Sequence, residues 1–157
     1  MIRAATPDDV PTILQLVREL AEYEREPDAV VATEAMLARA LFDPHPAAEA
    51  VIAEVAGEPR GFALFFHNFS TWTGRRGLYL EDLYVTPDAR GQGLGKALLA
   101  HLAGLAIDRG CARFEWAVLD WNAPAISFYN SVGADSMNEW TVRRVSGDAL
   151  ARLAGRN

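Results

Sequence analysis

The sequence predicts a single α/β domain in which short strands alternate with helices along 157 residues. Half of the residues are hydrophobic, which is enough to bury one core. Apolar residues recur in successive short segments at either strand or helix spacing. Glycine, proline and aspartate separate these segments, and no repeat or low-complexity tract interrupts them. We therefore assign residues 1–157 to one domain.

The first third of the chain predicts a short strand and two helices. Ile2 to Ala5 has the pattern of a strand. Thr6-Pro7-Asp8-Asp9 then supplies a helix cap, a proline at the first helical position and an acid at the third position after the cap. Apolar residues from Val10 to about Tyr23 follow at helical spacing. Thr33 to Phe42 predicts a second helix, which ends at Asp43-Pro44-His45-Pro46.

The middle of the chain predicts three strands: Ala50 to Val55, Gly61 to Asn68 and Leu78 to Val85. A turn at Gly57-Glu58-Pro59 joins the first two strands. A polar loop from Thr71 to Gly77, which contains Trp72, precedes the third. In the third of these strands Leu78 and Leu80 share one face, whereas Leu83 and Val85 have the opposite parity. A one-residue bulge at Glu81-Asp82 would place all four on the same side and aim a carboxylate into a cleft. The alternative is a strand buried on both faces.

The last third predicts two helices and two strands. The loop Thr86 to Gln92 leads into a helix from about Gly93 to Arg109, and a strand from Arg113 to Leu119 follows. A shorter helix then runs from about Ala123 to Val132. The chain continues with a strand from Trp140 to Val145 and a helical turn from Asp148 to Leu153. Gly110 and Gly133 end the two helices, and Asn122 caps the second.

Composition excludes several classes of function. Twenty-one acidic against 15 basic residues give a net charge of −6, which argues against a nucleic-acid binder. The most apolar window, Leu94 to Ile107, is too short for a bilayer and contains Lys96 and His101, and the N-terminus has no signal-peptide pattern. The single cysteine, Cys111, can form no intrachain disulfide. We expect a cytoplasmic protein with no membrane partner.

The strongest local signal is the glycine loop Arg90-Gly91-Gln92-Gly93-Leu94-Gly95-Lys96, between a strand and a helix. Its glycines allow close backbone approach, and the helix N-terminus beyond them suits a phosphate. The loop lacks the spacing of a Walker A motif, which needs a hydroxyl where Ala97 stands, and the spacing of a dinucleotide fingerprint. A flexible turn with a good helix cap is the alternative. Lys96, the only lysine, adds charge beside the loop.

These segments resemble the GCN5-related N-acetyltransferase (GNAT) superfamily. Arg90-x-x-Gly93-x-Gly95 is similar to its acetyl-CoA pyrophosphate loop, and the stretch from Asn122-x-Pro124 to Tyr129 and Gly133 is similar to its second cofactor-binding segment. More specifically, Glu19–Glu24, Leu78–Asp82 and Trp121–Tyr129 resemble the spermidine/spermine (diamine) and thialysine acetyltransferases. The resemblance implies a mixed, mostly antiparallel sheet flanked by helices, with a splay between the fourth and fifth strands. It also implies a homodimer.

The resemblance assigns cofactor-binding residues in three groups. The residues along the pantetheine arm are Leu83, Tyr84 and Val85; those around the pyrophosphate are Arg90, Gly91, Gln92, Gly93, Leu94, Gly95 and Lys96; and those farther along the cofactor are Asn122, Pro124 and Ala125. It makes Tyr129 the proton donor to the departing thiolate and Glu81 the base or the ligand of the acceptor amine. The acceptor site would also include Tyr23, Glu24, Asp82 and Glu139.

The chemistry of acetyl transfer suits these residue types. An alkyl ammonium has a pKa of about 10.4, so a carboxylate such as Glu81 or Asp82 must hold it and take its proton. A tyrosine, with a pKa of about 10, can protonate a thiolate at little cost. Cys111 lies outside the motifs, so direct attack in a ternary complex is favoured over an acetyl-enzyme. His45, His67 and His101 match no metal-ligand spacing, and we expect no metal.

We therefore predict an acetyl-CoA-dependent N-acetyltransferase that acts on a primary amine of a small cationic acceptor, either a diamine or polyamine or a thialysine-like amino acid. Trp72, Trp116 and Trp140 could flank an aliphatic cation. Two alternatives stay open at this point. One is a protein or peptide N-acetyltransferase, which needs an open peptide groove. The other is a non-catalytic acetyl-CoA-binding module, which has no need of Glu81 or Tyr129.

Overall fold

In the computed structural model, which describes residues 1–156, a five-stranded sheet lies within the first of two units, Met1–Leu119. Its strands, in chain order and in spatial order, are β1 (Ile2–Ala4), β2 (Glu49–Val55), β3 (Glu58–Ser70), β4 (Arg75–Val85) and β5 (Phe114–Trp116). Strands β1 to β4 are antiparallel neighbours, and β5 is parallel to β4. The sheet is mixed and mostly antiparallel, as predicted.

Three helices accompany this sheet: α1 (Val10–Tyr23), α2 (Glu34–Phe42) and α3 (Leu94–Asp108). A 3₁₀ turn, Pro7–Asp9, precedes α1. Thr33 caps α2 by accepting a hydrogen bond from the Met36 amide at 3.2 Å. All three helices were predicted from apolar spacing, and their ends lie within a few residues of the predicted ones. Among the described residues, no helix combines the length and apolar character needed to cross a bilayer.

The strand register divides the core between the two faces of the sheet. On one face Ile52, Phe62 and Tyr84 pack with apolar residues of α1 and with Leu41 of α2. On the opposite face Phe65 contacts Arg109, the residue that follows α3, and α3 packs against β3 and β4. Each layer of helices thus covers one face of the sheet, and the C-terminal end of β4 lies between α1 and the start of α3.

A one-residue bulge in β4 confirms the prediction from parity. Leu64 pairs with Asp82 and the next residue, Phe65, pairs with Leu80, so Glu81 is the extra residue. The bulge consequently places four apolar residues of β4 on the same face of the sheet: Leu78, Leu80, Leu83 and Val85. Their cross-strand partners on β3 are, in the same order, His67, Phe65, Ala63 and Gly61. The parallel pairing with β5 ends at Leu80 and Trp116, and β4 continues to Val85 beyond it. The bulge therefore marks the place where the fourth and fifth strands part.

Several predicted boundaries in this unit are corrected by the structure. β3 and β4 extend to Ser70 and Arg75, because their ladder continues through Ser70↔Arg75, so the predicted loop Thr71–Gly77 shrinks to a turn. The turn before β3 lies at Ala56-Gly57, where φ is +52° and +80°, one to two residues before the predicted Gly57–Pro59. The predicted strand Arg113–Leu119 keeps only Phe114–Trp116, since Ala117 to Leu119 are exposed.

The second unit, 120–156, contains two short helices, α4 (Ala123–Ser131) and α5 (Gly147–Leu153). The predicted strand Trp140–Val145 is wrong: this segment has no strand pairing in the part of the chain described. Trp140 and Val142 are 67% and 87% exposed, so the alternating pattern has no buried face to hold it in a sheet.

Candidate active site

An acidic cluster lies at the β4 bulge. Asp82 pairs with Leu64 and so faces the side of the sheet that α1 covers, while Glu81, the bulged residue, is exposed. Glu24 caps the C-terminus of α1 and its charge acts on both β4 carboxylates. The bulge and the end of α1 thus bring together the predicted residues Glu24, Glu81 and Asp82.

The electrostatics of this cluster favour a cation. Burial, together with the neighbouring charges of Glu81 and Glu24, raises the pKa of Asp82 to about 6. Burial also raises the pKa of Glu24, with repulsion from Glu81 as the second cause. Close carboxylates that resist ionisation are relieved by a positive ligand, and perturbed carboxyls of this kind concentrate at functional sites.

The aromatic pair Phe66 and Tyr79 lies beside the cluster and was missed by the sequence analysis. Their ring centroids are 5.2 Å apart, and burial together with the charges of Glu81 and Glu115 raises the pKa of Tyr79. Tyr79 pairs with Phe66, on the same face as Asp82, because the bulge shifts the parity between them. Counting parity across the predicted bulge would have identified Tyr79 as a neighbour of the acids.

The glycine loop has the geometry that a phosphate group requires. Gly91 and Gly93 have φ of +77° and +79°, a left-handed conformation that L side chains rarely adopt. Gly93 is the N-cap of α3, so the first amides of this helix have no acceptor within it. A Cβ placed on Gly91, Gly93 or Gly95 meets nothing within 4 Å. The space above the loop is therefore open to a ligand, and the cofactor-binding role of the loop stays a prediction.

The polar side chains of this loop point in different directions. Gln92 and Lys96 are exposed, and Leu94 is half-buried at the start of α3. The Arg90 side chain instead turns back toward the strand: its Nε donates to the Val85 carbonyl oxygen at 3.0 Å. Its guanidinium carbon lies 5.4 Å from the ring centre of Tyr23 and 5.5 Å from that of Tyr84. Of the predicted loop cations, Lys96 is the one on the first turn of α3.

The last residues of β4 divide between the two faces. Leu83 and Val85 are half-buried on the side of α3. Tyr84 is 7% exposed and belongs to the core beneath α1. Its phenol side chain is therefore committed to packing, and Tyr84 could meet a cofactor through its backbone alone.

In the second unit, α4 and its N-cap residue Asn122 hold four of the predicted residues. Asn122 Oδ1 accepts a hydrogen bond from the Ala125 amide at 3.3 Å, and Pro124 occupies the first turn. Tyr129 is half-buried, with its ring centre 5.5 Å from that of Phe128. Glu139 is exposed in the irregular segment between α4 and α5. Their cofactor, catalytic and acceptor roles stay predictions.

Comparison with known proteins decides the family. Residues 12–134 match the family described as Acetyltransferase (GNAT) family. The chain belongs to this GNAT family.

Two relatives of this GNAT chain are named as acetyltransferases of thialysine and of L-ornithine. It is 41% identical over 99% of its length to thialysine N-epsilon-acetyltransferase of Sus scrofa, of which it covers 98%. It is 33% identical over 97% of its length to L-ornithine N5-acetyltransferase NATA1 of Arabidopsis thaliana, of which it covers 86%. An integron cassette protein of V. cholerae superposes with a TM-score of 0.82 at 30% identity, covering 98% of this chain and 96% of that one. The protein is an N-acetyltransferase that acts on amines.

Proposed function

We propose that this GNAT enzyme transfers the acetyl group of acetyl-CoA to a primary amine of a small cationic acceptor, a diamine, polyamine or thialysine-like amino acid. The observation that carries the proposal is the acidic cluster at the β4 bulge, on the strand that leads into the open glycine loop. Thialysine and ornithine, which name two of the relatives, each carry two amino groups. A cluster of several carboxylates suits an acceptor with more than one positive charge.

The acceptor amine is bound and deprotonated by the carboxylates. Glu81, exposed at the bulge, receives the ammonium and takes its proton directly or through a water. Asp82, whose pKa burial raises to about 6, holds a second contact with the cation and helps to accept the proton. Glu24, Tyr23 and Glu139 line the rest of the acceptor site. The aromatic face of Tyr79 beside the acids can cover an alkyl chain or an ammonium group.

Acetyl-CoA supplies an acetyl group activated as a thioester. Backbone amides of residues 91–96 hold its phosphates at the N-terminus of α3, and the exposed Lys96 adds charge on the same turn. Backbone groups of Leu83 and Val85 lie along its arm, and Asn122, Pro124 and Ala125 extend the contact. The bulge frees backbone groups of β4 from the ladder at the point where polar donors are needed.

Tyr129 protonates the departing thiolate, and the amine attacks directly in a ternary complex. This scheme uses no acetyl-enzyme on Cys111, because Cys111 is half-buried, follows α3 in the chain and lies outside the motifs. We further propose that residues 1–157 act as one acetyltransferase domain, that the protein is cytoplasmic and that it is a homodimer.

The test is a thiol-release assay with acetyl-CoA and a panel of 1,4-diaminobutane, spermidine, thialysine, ornithine, lysine and a lysine-containing peptide. The proposal predicts turnover with at least one small dicationic amine and a much lower kcat/KM for the peptide. Turnover of the peptide alone would establish a protein acetyltransferase. Binding of CoA without turnover of any amine would establish a binding module.

A further inference from the structure

The Arg90 side chain makes contacts within the protein that the binding of a phosphate would not require. Its Nε donates to the Val85 carbonyl oxygen at the end of β4. Its guanidinium lies within cation–π distance of two tyrosine rings, Tyr23 at 5.4 Å and Tyr84 at 5.5 Å. Burial and the nearby Glu19 of α1 raise the pKa of the Tyr84 phenol, whereas the nearby Arg90 lowers it. One side chain thus contacts the strand end, the core and helix α1.

These contacts join the two halves of the proposed active site. Arg90 immediately precedes Gly91, the first residue of the phosphate-binding turn, where φ is +77°. Tyr23 is the last residue of α1 and immediately precedes Glu24 of the acidic cluster. Arg90 therefore connects the loop that would hold the cofactor with the helix end that carries an acceptor carboxylate.

A guanidinium is suited to this role and an ammonium is not. Its flat face can stack on a ring while its Nε donates in the plane to a carbonyl, whereas a lysine offers a point charge with rotating donors. Tyr84 is 7% exposed, so one ring of the pair is fixed by the core. The other, Tyr23, is 41% exposed at the helix end and gains order from the arginine.

We propose that Arg90 is a positioning residue: its side chain fixes the C-terminal turn of α1, and with it Glu24, against the exit of β4, instead of binding the cofactor phosphates. The kinetic part of this inference rests on the proposed function. The conformational part does not.

The conformational test measures amide hydrogen exchange in the ligand-free protein. The amides of Glu24, Arg25 and Glu26 donate to Leu20, Glu22 and Ala21 at the end of α1. Arg90→Ala should accelerate their exchange by about tenfold, and Tyr23→Leu should do the same. Arg90→Lys, which keeps the charge, should not restore protection. Arg39→Ala, at an exposed arginine of α2, is the matched control and should leave these amides unchanged.

The kinetic test compares acetyl-CoA with S-acetylpantetheine, which has no pyrophosphate. Arg90→Ala should lower kcat/KM by the same factor for both thioesters, because it displaces the C-terminal turn of α1 and with it Glu24 of the acceptor site. A loss confined to acetyl-CoA, or exchange rates at 24–26 equal to those of the parent, would overturn the proposal. A parent protein that acetylates no amine would refute the proposed function and leave the exchange result to decide the role of Arg90.

Discussion

Two aspartates in the same unit, the buried Asp9 and the half-buried Asp82, show opposite electrostatics. Asp9 accepts two hydrogen bonds from Arg3, at 2.7 and 2.9 Å, and another from the Thr6 amide at 2.7 Å. The Arg3 guanidinium holds the pKa of Asp9 at about 2. Burial and the charges of Glu81 and Glu24 instead raise the pKa of Asp82 to about 6.

The difference separates a carboxylate that is paired within the fold from one that we propose to bind the acceptor. Asp9 forms an ion pair with Arg3, and this pair connects β1 with the start of α1. Arg3 also binds Glu54 of β2 at 2.7 Å. Asp82 is held among like charges, so its ionised form is costly until a cation arrives. A site that keeps such a cost in the free protein is prepared for a positively charged ligand.

The largest effect is expected at Glu81. Glu81→Gln keeps the shape but removes the base, so kcat/KM for every amine should fall by roughly 10²–10⁴-fold. CoA affinity, measured by calorimetry, should not change, because the glycine loop is untouched. Glu115→Gln, at a carboxylate near Tyr79 that is already paired with Arg113 at 2.9 Å, is the matched control. An equal loss in both variants would mean that general negative charge, and not Glu81, supports turnover.

Tyr129→Phe should lower kcat by roughly 10²-fold or more while KM for acetyl-CoA stays the same. The reason is that the phenol acts only when the thiolate departs, and the ring, packed near Phe128, is retained. Phe128→Leu controls for packing and should change stability more than rate. Steady-state kinetics with the best acceptor measures kcat and KM in both variants. An unchanged kcat in Tyr129→Phe would mean that Tyr129 contributes only to packing.

Asp82→Asn should lower activity and raise stability at the same time. Because the folded pKa of about 6 lies above the ordinary 3.8, ionised Asp82 destabilises the fold above pH 6, and this cost disappears as the pH falls toward 4. The variant should therefore gain about 2 kcal/mol in the free energy of unfolding at pH 8 and almost nothing at about pH 3.5. Urea denaturation at the two pH values measures this. A loss of stability at pH 8 would show that Asp82 has a structural partner.

Asp9→Asn should do the opposite, with a cost of about 2 kcal/mol at pH 7 and no change in kcat/KM. Since the folded pKa of Asp9 lies below its ordinary value, this contribution is present above pH 4 and is lost as the pH falls toward 2. Asp28→Asn, at an exposed aspartate, should be neutral in the same denaturation assay. Reduced activity in Asp9→Asn at full stability would place this ion pair in the functional machinery.

Parity and turn chemistry predicted much of the fold and part of the site. The bulge at Glu81 followed from the positions of four apolar residues, because a strand has two faces and the pattern changes sides once. The same reasoning failed for Trp140–Val145, since alternation indicates one apolar face but not a partner strand to cover it. The direction of the Arg90 side chain was beyond prediction, because Tyr23 and Tyr84 meet it through tertiary packing.

The charge state of Asp82 provides the most direct test of the account. Carbon-detected NMR of the side-chain carboxyls, with Asp82 assigned by the Asp82→Asn variant, gives its pKa in the free protein and with saturating thialysine. We expect a pKa of about 6 in the free protein and a marked decrease when the dicationic amine binds, since an ammonium favours the ionised form. A pKa that is near 4 in the free protein, or that does not move on binding, would contradict an acceptor site at the β4 bulge.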